Sequence, residues 1–305
     1  MNLLQTWRWF GKFDTVPLSS AKQAGAEGIV SALHHFKCGD VWTVDEIKKQ
    51  QKQIADAKMY WAVVESVPVH EQIKTGGAER DKYIKNYIES LHALAKCDIK
   101  TVCYNFMPIL DWTRTDLDFT VEDGSKALLF DNLDYIAFEI DVLKRKGAEK
   151  DFAPELVAKA KKQWATHSPE KQKEIERVLL MGLPGTVDDL TKEQFLEQLA
   201  TYDQISENQL RANYIYFLKK VIPEAEALGI KMTVHPDDPP RPIFGLPRIV
   251  STEADAKWLT SEVDSPANGL CFCTGSFGAR LDNDLPGIVR RLGHKINFIH
   301  LRSVQ

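Results

Sequence analysis

The chain lacks any long apolar run. No stretch of its 305 residues approaches the ~20 apolar residues that a membrane-spanning helix requires. The segment from Met1 to Arg8 also lacks the charged start and apolar core of a secretion signal. We therefore expect a cytoplasmic protein with no membrane partner.

An excess of positive charge is also missing. Lysine and arginine total 39 against 43 acidic residues, the formal net charge is −4, and the two signs are mixed along the chain. No basic surface is available to neutralise a phosphate backbone, so we expect no nucleic-acid partner.

Cysteine is scarce, with five residues in the chain. An odd number, without a secretion signal, indicates reduced thiols rather than a disulfide framework. At least one thiol is then free to bind a metal.

The sequence alternates short apolar segments with amphipathic helical stretches, and its 44% hydrophobic content predicts a sizeable core. The length allows one large domain or two smaller ones, and we expect one domain spanning 1–305. Such alternation is typical of an α/β fold with a parallel sheet. The glycine-rich dinucleotide fingerprint is absent after the first strand. The predicted strands are Thr6–Trp9, Gly28–Leu33, Trp61–Ser66, Thr101–Asn105, Ile230–Val234, Gly269–Cys273 and Lys295–Ile299.

Alternation alone allows either an open sheet or a closed barrel, but the residues at the strand ends favour the barrel. At or next to the end of each predicted strand lies a polar, chemically capable residue: Arg8, His34 or His35, Glu65, Asn105, His235, Cys273 and His300. In a (β/α)8 TIM barrel all these ends converge on one mouth, where active sites are built.

The spacing between strands is regular except from Asn105 to Ile230. Within this gap the charged stretch 144–207 predicts a helical insertion after strand 4, with breaks at Gly147, Pro154, Ser168-Pro169 and Leu183-Pro184-Gly185. It is a candidate lid or subunit contact, and we expect a homo-oligomer. Only seven strands are found, so the eighth βα unit is expected to lie outside this chain.

His235, Cys273 and His300 lie at the ends of three consecutive predicted strands or directly after them. Imidazole and thiolate are ligands that suit Zn²⁺ or Fe²⁺, and three protein ligands with an open position are typical of a catalytic metal site. A single histidine at a strand end is more often a packed or hydrogen-bonded core residue, but three such ends favour a metal. Cys271, two residues before Cys273, points to the same face one layer deeper and is expected in the core.

Other strand ends leave alternatives open. Glu65 could be a general base, a partner that holds a ligand histidine, or half of a structural ion pair. Arg8 is suited to clamp a carboxylate, or else forms a salt bridge at the rim. At most one of His34 and His35 faces the mouth, and a substrate contact and a surface position are equally compatible with the sequence. Asp237 and Asp238 are candidate ligands, although one of them is expected to form a turn beside proline.

Several motifs together resemble the D-mannonate dehydratase family. They are Thr6-Trp7-Arg8-Trp9, Ala32-Leu33-His34-His35, Val64-Glu65-Ser66-Val67-Pro68, the run from Val102 to Asp116, the run from His235 to Arg248, Cys273-Thr274-Gly275-Ser276 and His300-Leu301-Arg302-Ser303. The resemblance implies a metal-dependent TIM barrel, related to the xylose-isomerase-like barrels, that removes water from D-mannonate to give 2-keto-3-deoxy-D-gluconate in hexuronate breakdown.

The resemblance also implies that His235, Cys273 and His300 bind Mn²⁺ or Fe²⁺. Softness alone would favour Zn²⁺ for a thiolate. We expect Arg8 or Arg302 to grip the substrate carboxylate, and His34 and Asn105 to contact the sugar acid. The family's fourth ligand, an Asp in a Pro-Asp-His-Gly motif, and a tyrosine tied to catalysis have no counterpart in this sequence. A metal-dependent sugar isomerase or epimerase, or a non-catalytic sugar-acid-binding barrel, are the alternatives.

Overall fold

Seven short parallel strands form the main sheet of the computed structural model, which describes residues 3–181 and 190–305. They are β1 (Thr6–Arg8), β2 (Gly28–Ser31), β3 (Tyr60–Glu65), β4 (Thr101–Tyr104), β7 (Lys231–Val234), β8 (Asn268–Cys273) and β9 (Ile296–His300). Every residue of β2 and β8 is buried, as expected for parallel strands covered on both faces. All seven predicted strands are confirmed, with ends shifted by one or two residues.

The sheet is curled. Hydrogen bonds join the strands in the order β1-β2-β3-β4-β7-β8-β9, and each pair is parallel. Val30, Val63, Cys103 and Cys271, from β2, β3, β4 and β8, nevertheless meet in one small inner cluster. A flat sheet would hold β2 and β8 apart, so the inner face closes on itself as in a barrel. The predicted barrel-type α/β fold and the buried Cys271 are confirmed, and the eighth unit stays a prediction.

The larger core lies between the outer face of the sheet and the helices. Alternation along the strands decides which residues join it: Val102 and Tyr104 point outward into this core, whereas Cys103 points inward. Tyr87 and Phe217 pack edge to face in the same layer, with ring centroids 5.2 Å apart.

Twelve α-helices surround the sheet in the described residues. They are α1 (Leu18–Gln23), α2 (Val44–Asp56), α3 (Glu71–Lys74), α4 (Arg80–Lys96), α5 (Asn132–Ala137), α6 (Pro154–Trp164), α7 (Pro169–Leu180), α8 (Lys192–Ala200), α9 (Glu207–Ala227), α10 (Glu253–Glu262), α11 (Thr274–Gly278) and α12 (Leu285–Leu292). Among these, no helix combines the length and apolarity needed to cross a membrane.

Helices α6, α7 and α8 occupy the stretch in which the sequence predicts a helical insertion. Two of the predicted breaks are helix starts, because Pro154 and Pro169 lie in the first turns of α6 and α7, where proline has no amide to lose. The predicted break at Leu183-Pro184-Gly185 lies outside the described residues. The role of this stretch as a lid or subunit contact stays a prediction.

A two-stranded antiparallel hairpin was not expected from the sequence. Its strands, β5 (Asp116–Thr120) and β6 (Lys126–Leu129), follow the loop that leaves β4. Gly124 has φ +84° in the connecting turn, a conformation that Asp-Gly pairs favour. The Asp123-Gly124 pair is the sequence feature from which this hairpin could have been predicted. Lys171 of α7 lies 2.6 Å from Asp116, so the hairpin is tied to the inserted helices.

Candidate metal centre

Three neighbouring strands bring His235, Cys273 and His300 together at one end of the sheet. His235 directly follows β7, and its amide donates to the Tyr104 carbonyl over 2.7 Å. Cys273 and His300 are the last residues of β8 and β9 and lie opposite each other in the register. One ligand atom of each residue lies within 4.8 Å of the others. The sequence therefore predicted a group of side chains that the fold does assemble.

Hydrogen bonds on the far side of each imidazole determine which nitrogen is free. Nδ1 of His235 lies 2.7 Å from the Pro236 carbonyl oxygen, which only accepts, so Nδ1 carries the proton. Nε2 of His300 lies 3.2 Å from Oε2 of Glu65 and donates to this carboxylate. The other nitrogen of each ring can therefore bind a metal ion once it has lost its proton, as metal-binding histidines require.

The Cys273 side chain is a thiolate at neutral pH. Burial would raise its pKa, but hydrogen bonds from His235 and His300 and the charge of Arg302 lower the pKa to about 4. Burial likewise would lower the pKa values of the two imidazoles. The Cys273 thiolate raises that of His235, and Glu65 together with Cys273 raises that of His300, in each case to about 9.

This donor set fits a divalent ion. Ligand atoms about 2.0–2.3 Å from one ion lie at most about 4.6 Å apart. The observed limit of 4.8 Å is close to that value. One thiolate and two imidazoles suit Zn²⁺ or Fe²⁺, and three protein ligands leave room for further ones.

Glu65 links the two sides of the mouth. Its Oε2 lies 2.8 Å from Nη1 of Arg8 as well as 3.2 Å from His300. Burial raises the pKa of this carboxyl, but the charges of Arg8 and His300 outweigh it and the pKa falls below its usual range. Glu65 is therefore ionised, and its contacts match a partner that holds a ligand histidine within an ion pair.

Arg8 and His34 present buried donors toward this end of the sheet. The Arg8 guanidinium lies over the Phe10 ring, 4.9 Å from its centroid. Its Nε and Nη2 and both ring nitrogens of His34 have no hydrogen-bond partner among the described residues. Burial, and then the nearby Arg8 charge, lower the pKa of His34 to about 4, so its ring is neutral.

The second strand ends earlier than the sequence predicted, at Ser31 instead of Leu33, because the chain turns there and Phe36 bonds back to Leu33. His34 and His35 consequently lie in a loop. His35 points outward and lies 3.1 Å from Glu46. His34 is the inward member of the pair.

Asn105 and Arg302 both hold loops at the rim. Asn105 accepts from the Met107 amide over 3.2 Å and donates to Asp111 over 3.3 Å. Arg302 donates through Nη2 to Asp238 over 2.9 Å and to Ser276 over 3.2 Å. Arg302 is thus partly engaged within the protein, whereas Arg8 keeps two donors without partners among the described residues.

The two aspartates behind His235 have other partners. Asp237 accepts from the Val250 amide and the Ser251 hydroxyl over 2.7 and 2.8 Å. Asp238 accepts two bonds from Arg114, over 2.8 and 3.0 Å. Neither joins the ligand group found among the described residues. The Arg114–Asp238 pair and Ser276 were missed from the sequence, because nothing local indicates which residues meet across loops.

Comparison with known proteins identifies the family of the chain. The D-mannonate dehydratase (UxuA) family model matches residues 1–305. "Mannonate dehydratase 1" of Agrobacterium fabrum (strain C58 / ATCC 33970) is 51% identical over 299 residues, which are 98% of this chain and 74% of that protein. The crystal structure of mannonate dehydratase from Streptococcus suis serotype2 has a TM-score of 0.76 at 33% identity, over 100% of this chain and 74% of that one.

A solved D-psicose 3-epimerase shares the fold, with a TM-score of 0.52 at 11% identity over 97% of this chain and 72% of the other. These solved structures share the barrel-type fold that was expected for this chain. On the match along its whole length and the identity to its relatives, the chain belongs to the D-mannonate dehydratase family.

Proposed function

We propose that this chain removes water from D-mannonate to give 2-keto-3-deoxy-D-gluconate, a step of hexuronate breakdown, at a site where His235, Cys273 and His300 hold a divalent ion. The observation that carries the proposal is the meeting of these three donors at adjacent strand ends in a member of the D-mannonate dehydratase family. We take Mn²⁺ or Fe²⁺ as the ion, and a homo-oligomer in the cytoplasm as the working form.

The reaction separates a proton from C2 and a hydroxyl from C3 of the sugar acid. The electron pair of the C2–H bond forms a C2–C3 double bond, the C3 hydroxyl leaves as water after gaining a proton, and the enol becomes the 2-keto acid. Negative charge builds on the adjacent carboxylate while the C2 proton leaves. A bound divalent ion would act as a Lewis acid on that charge.

Arg8 is the residue that we propose to bind the substrate carboxylate. Its Nε and Nη2 are buried and have no hydrogen-bond partner among the described residues, which costs free energy unless a ligand fills them. A guanidinium matches a carboxylate with two parallel bonds, and its charge opposes the charge that develops there. Arg302, the alternative from the sequence, is already engaged by Asp238, so we assign it a smaller part in substrate binding.

His34 and Asn105 are proposed to contact the hydroxyls of the sugar acid. A neutral imidazole offers one donor and one acceptor, which suits an alcohol, and both ring nitrogens of His34 have no partner among the described residues. Asn105 lies at the end of β4 and keeps the loop behind it in place.

Glu65 is proposed to position the site. One carboxylate oxygen of Glu65, Oε2, contacts both Arg8 and His300. Glu65 therefore fixes the position of the proton on His300 and holds the arginine that is proposed to bind the substrate carboxylate. An ionised carboxylate held by two cations is a weak base, which favours this role over proton abstraction.

In the direct test, the protein is expressed from its full reading frame, purified and loaded with Mn²⁺ or Fe²⁺. It is then incubated with D-mannonate. We expect a 2-keto-3-deoxy acid, detected by mass spectrometry as a product lighter by one water. Cys97→Ser is the control, because Cys97 is buried beside α2 away from the site, and should keep full activity. Cys273→Ser should lose it.

The alternatives give different products. A metal-dependent isomerase or epimerase would return a compound of unchanged mass, and a binding protein would take up D-mannonate in a calorimeter without turnover. Either result would replace the proposed reaction. Elemental analysis of protein purified without added metal identifies the ion, and zinc in place of manganese or iron would overturn that part of the proposal.

A further inference from the structure

We propose that Ser276 is a positioning residue that donates its hydroxyl proton to the Cys273 sulfur, and that Arg302 and Asp238 hold the hydroxyl in this orientation. This inference rests on the proposed metal centre and deepens it. It concerns the hydrogen bonds that the thiolate accepts in the turn that opens α11.

The Cys273 sulfur accepts two hydrogen bonds from Ser276. The Ser276 amide lies 3.4 Å from Sγ and the Ser276 hydroxyl lies 3.2 Å from it. The amide bond forms because Cys273 is the N-cap of α11, where the first amides of the helix have no partner within the helix. Ser276 is completely buried, so water does not compete for the hydroxyl.

A serine hydroxyl has one proton, and two acceptors are within reach of it. Asp238 Oδ2 lies 3.3 Å from the Ser276 oxygen, little farther than the Cys273 sulfur. That carboxylate oxygen already accepts from Arg114 over 3.0 Å and from Arg302 over 2.9 Å. A hydroxyl bond to oxygen is normally about 2.5–3.0 Å long, so the contact with Asp238 is long for such a bond, whereas the larger sulfur atom accepts at longer distances. The proton is therefore directed to Cys273.

Arg302 reinforces this direction from the other side. Its Nη2 donates to the Ser276 oxygen over 3.2 Å, so that oxygen acts as an acceptor toward the arginine and as a donor toward the thiolate. Arg302 reaches this position by crossing Gly275, where an added Cβ would collide with its Nε. The absence of a side chain at Gly275 therefore lets the Arg302 side chain pack against the turn that contains Cys273 and Ser276.

Hydrogen bonds to a thiolate withdraw charge from the sulfur, and Co²⁺ makes this visible. Cobalt bound to a thiolate gives a near-ultraviolet charge-transfer band whose energy falls as the sulfur becomes richer in electrons. In Ser276→Ala protein loaded with Co²⁺ we expect this band at longer wavelength than in wild type. Arg302→Gln should shift the band in the same direction by a smaller amount. Without the arginine, the Ser276 hydroxyl can turn part of the time from Cys273 to Asp238.

Two matched variants serve as controls. Ser90→Ala removes another fully buried hydroxyl, which bonds to Trp42 and Asn86 on the helical layer. Arg280→Gln removes an arginine that pairs with Asp282. Neither should move the band, and circular dichroism verifies that every variant is folded.

The outcomes separate this inference from the proposed function. A wild-type protein without the band, or a band that survives Cys273→Ser, would overturn the metal centre itself. A wild-type band that is unchanged in folded Ser276→Ala would overturn the role of Ser276 alone. A shift in Ser276→Ala without one in Arg302→Gln would remove Arg302 from the arrangement.

Discussion

Glu65 Oε2 lies 3.2 Å from Nε2 of His300, although these residues end β3 and β9, strands that do not pair. The curl of the sheet creates this contact. Because the same oxygen also contacts Arg8, one carboxylate connects a proposed metal ligand with a proposed substrate contact. Replacing Glu65 should therefore affect metal binding before it affects chemistry.

Glu65→Ala should weaken metal binding by about 10–100-fold, the usual cost of losing a partner that orients a ligand histidine. Glu65→Gln should lose less, since an amide oxygen still accepts from His300. Calorimetric titration of metal-free protein measures both. If Glu65 were the general base, both variants would bind metal normally and lose turnover instead.

Arg8→Lys should raise the KM for D-mannonate by about 10–100-fold, because a single ammonium replaces a two-bond contact with the carboxylate. The kcat should change less, since the positive charge stays. Steady-state kinetics test this, with Arg80→Lys as control because Arg80 stacks on Tyr216 on the outer helices. An unchanged KM in Arg8→Lys, together with a raised one in Arg302→Lys, would assign the carboxylate to Arg302.

The sequence was most informative where side chains follow the period of a strand. His235, Cys273 and His300 could be predicted as neighbours because parallel strands bring their carboxyl ends to one edge. The buried position of Cys271 followed from the two-residue period of β8. Family motifs supplied the reaction, which strand periodicity alone does not determine.

Loops were the part that the sequence did not predict. Arg114 and Asp238 meet across 124 positions of the chain, and no local pattern specifies that pairing. The early end of β2 at Ser31, which places His34 in a loop, likewise depends on tertiary packing. Partners of the candidate ligands were therefore harder to predict than the ligands themselves.

Metal affinity should fall steeply as the pH is lowered from 8 to 6. In metal-free protein the pKa values of His235 and His300 are raised to about 9, so both rings carry protons that a metal ion must displace. Two competing protons correspond to a loss of up to about 100-fold per pH unit. The pKa of Cys273, about 4, keeps the thiolate ready throughout this range. Calorimetry in buffers of different ionisation enthalpy counts the protons released, and none released at pH 7 would contradict the prediction.

Asp238→Ala should lower the free energy of unfolding by about 3–5 kcal/mol, because it leaves Arg114 buried without its charged partner. Burial opposes ionisation of Asp238, but hydrogen bonds and charge from Arg114 lower its pKa to about 2. A lowered carboxyl pKa stabilises the fold above the unfolded value of about 4, and this contribution disappears as the pH falls toward 2. Urea denaturation at pH 7 and pH 3 should show a smaller difference between wild type and variant at pH 3. An equal difference at both pH values would show that the ionisation of Asp238 does not contribute to the loss of stability in acid.

X-ray absorption at the edge of the bound metal tests most directly whether His235, Cys273 and His300 form the centre. The wild-type protein should show one sulfur and at least two nitrogen neighbours around the ion. Cys273→Ser should lose the sulfur signal together with most of its metal, whereas Cys97→Ser should keep both. A metal shell without sulfur in the wild type, or one unchanged in Cys273→Ser, would contradict the proposed centre.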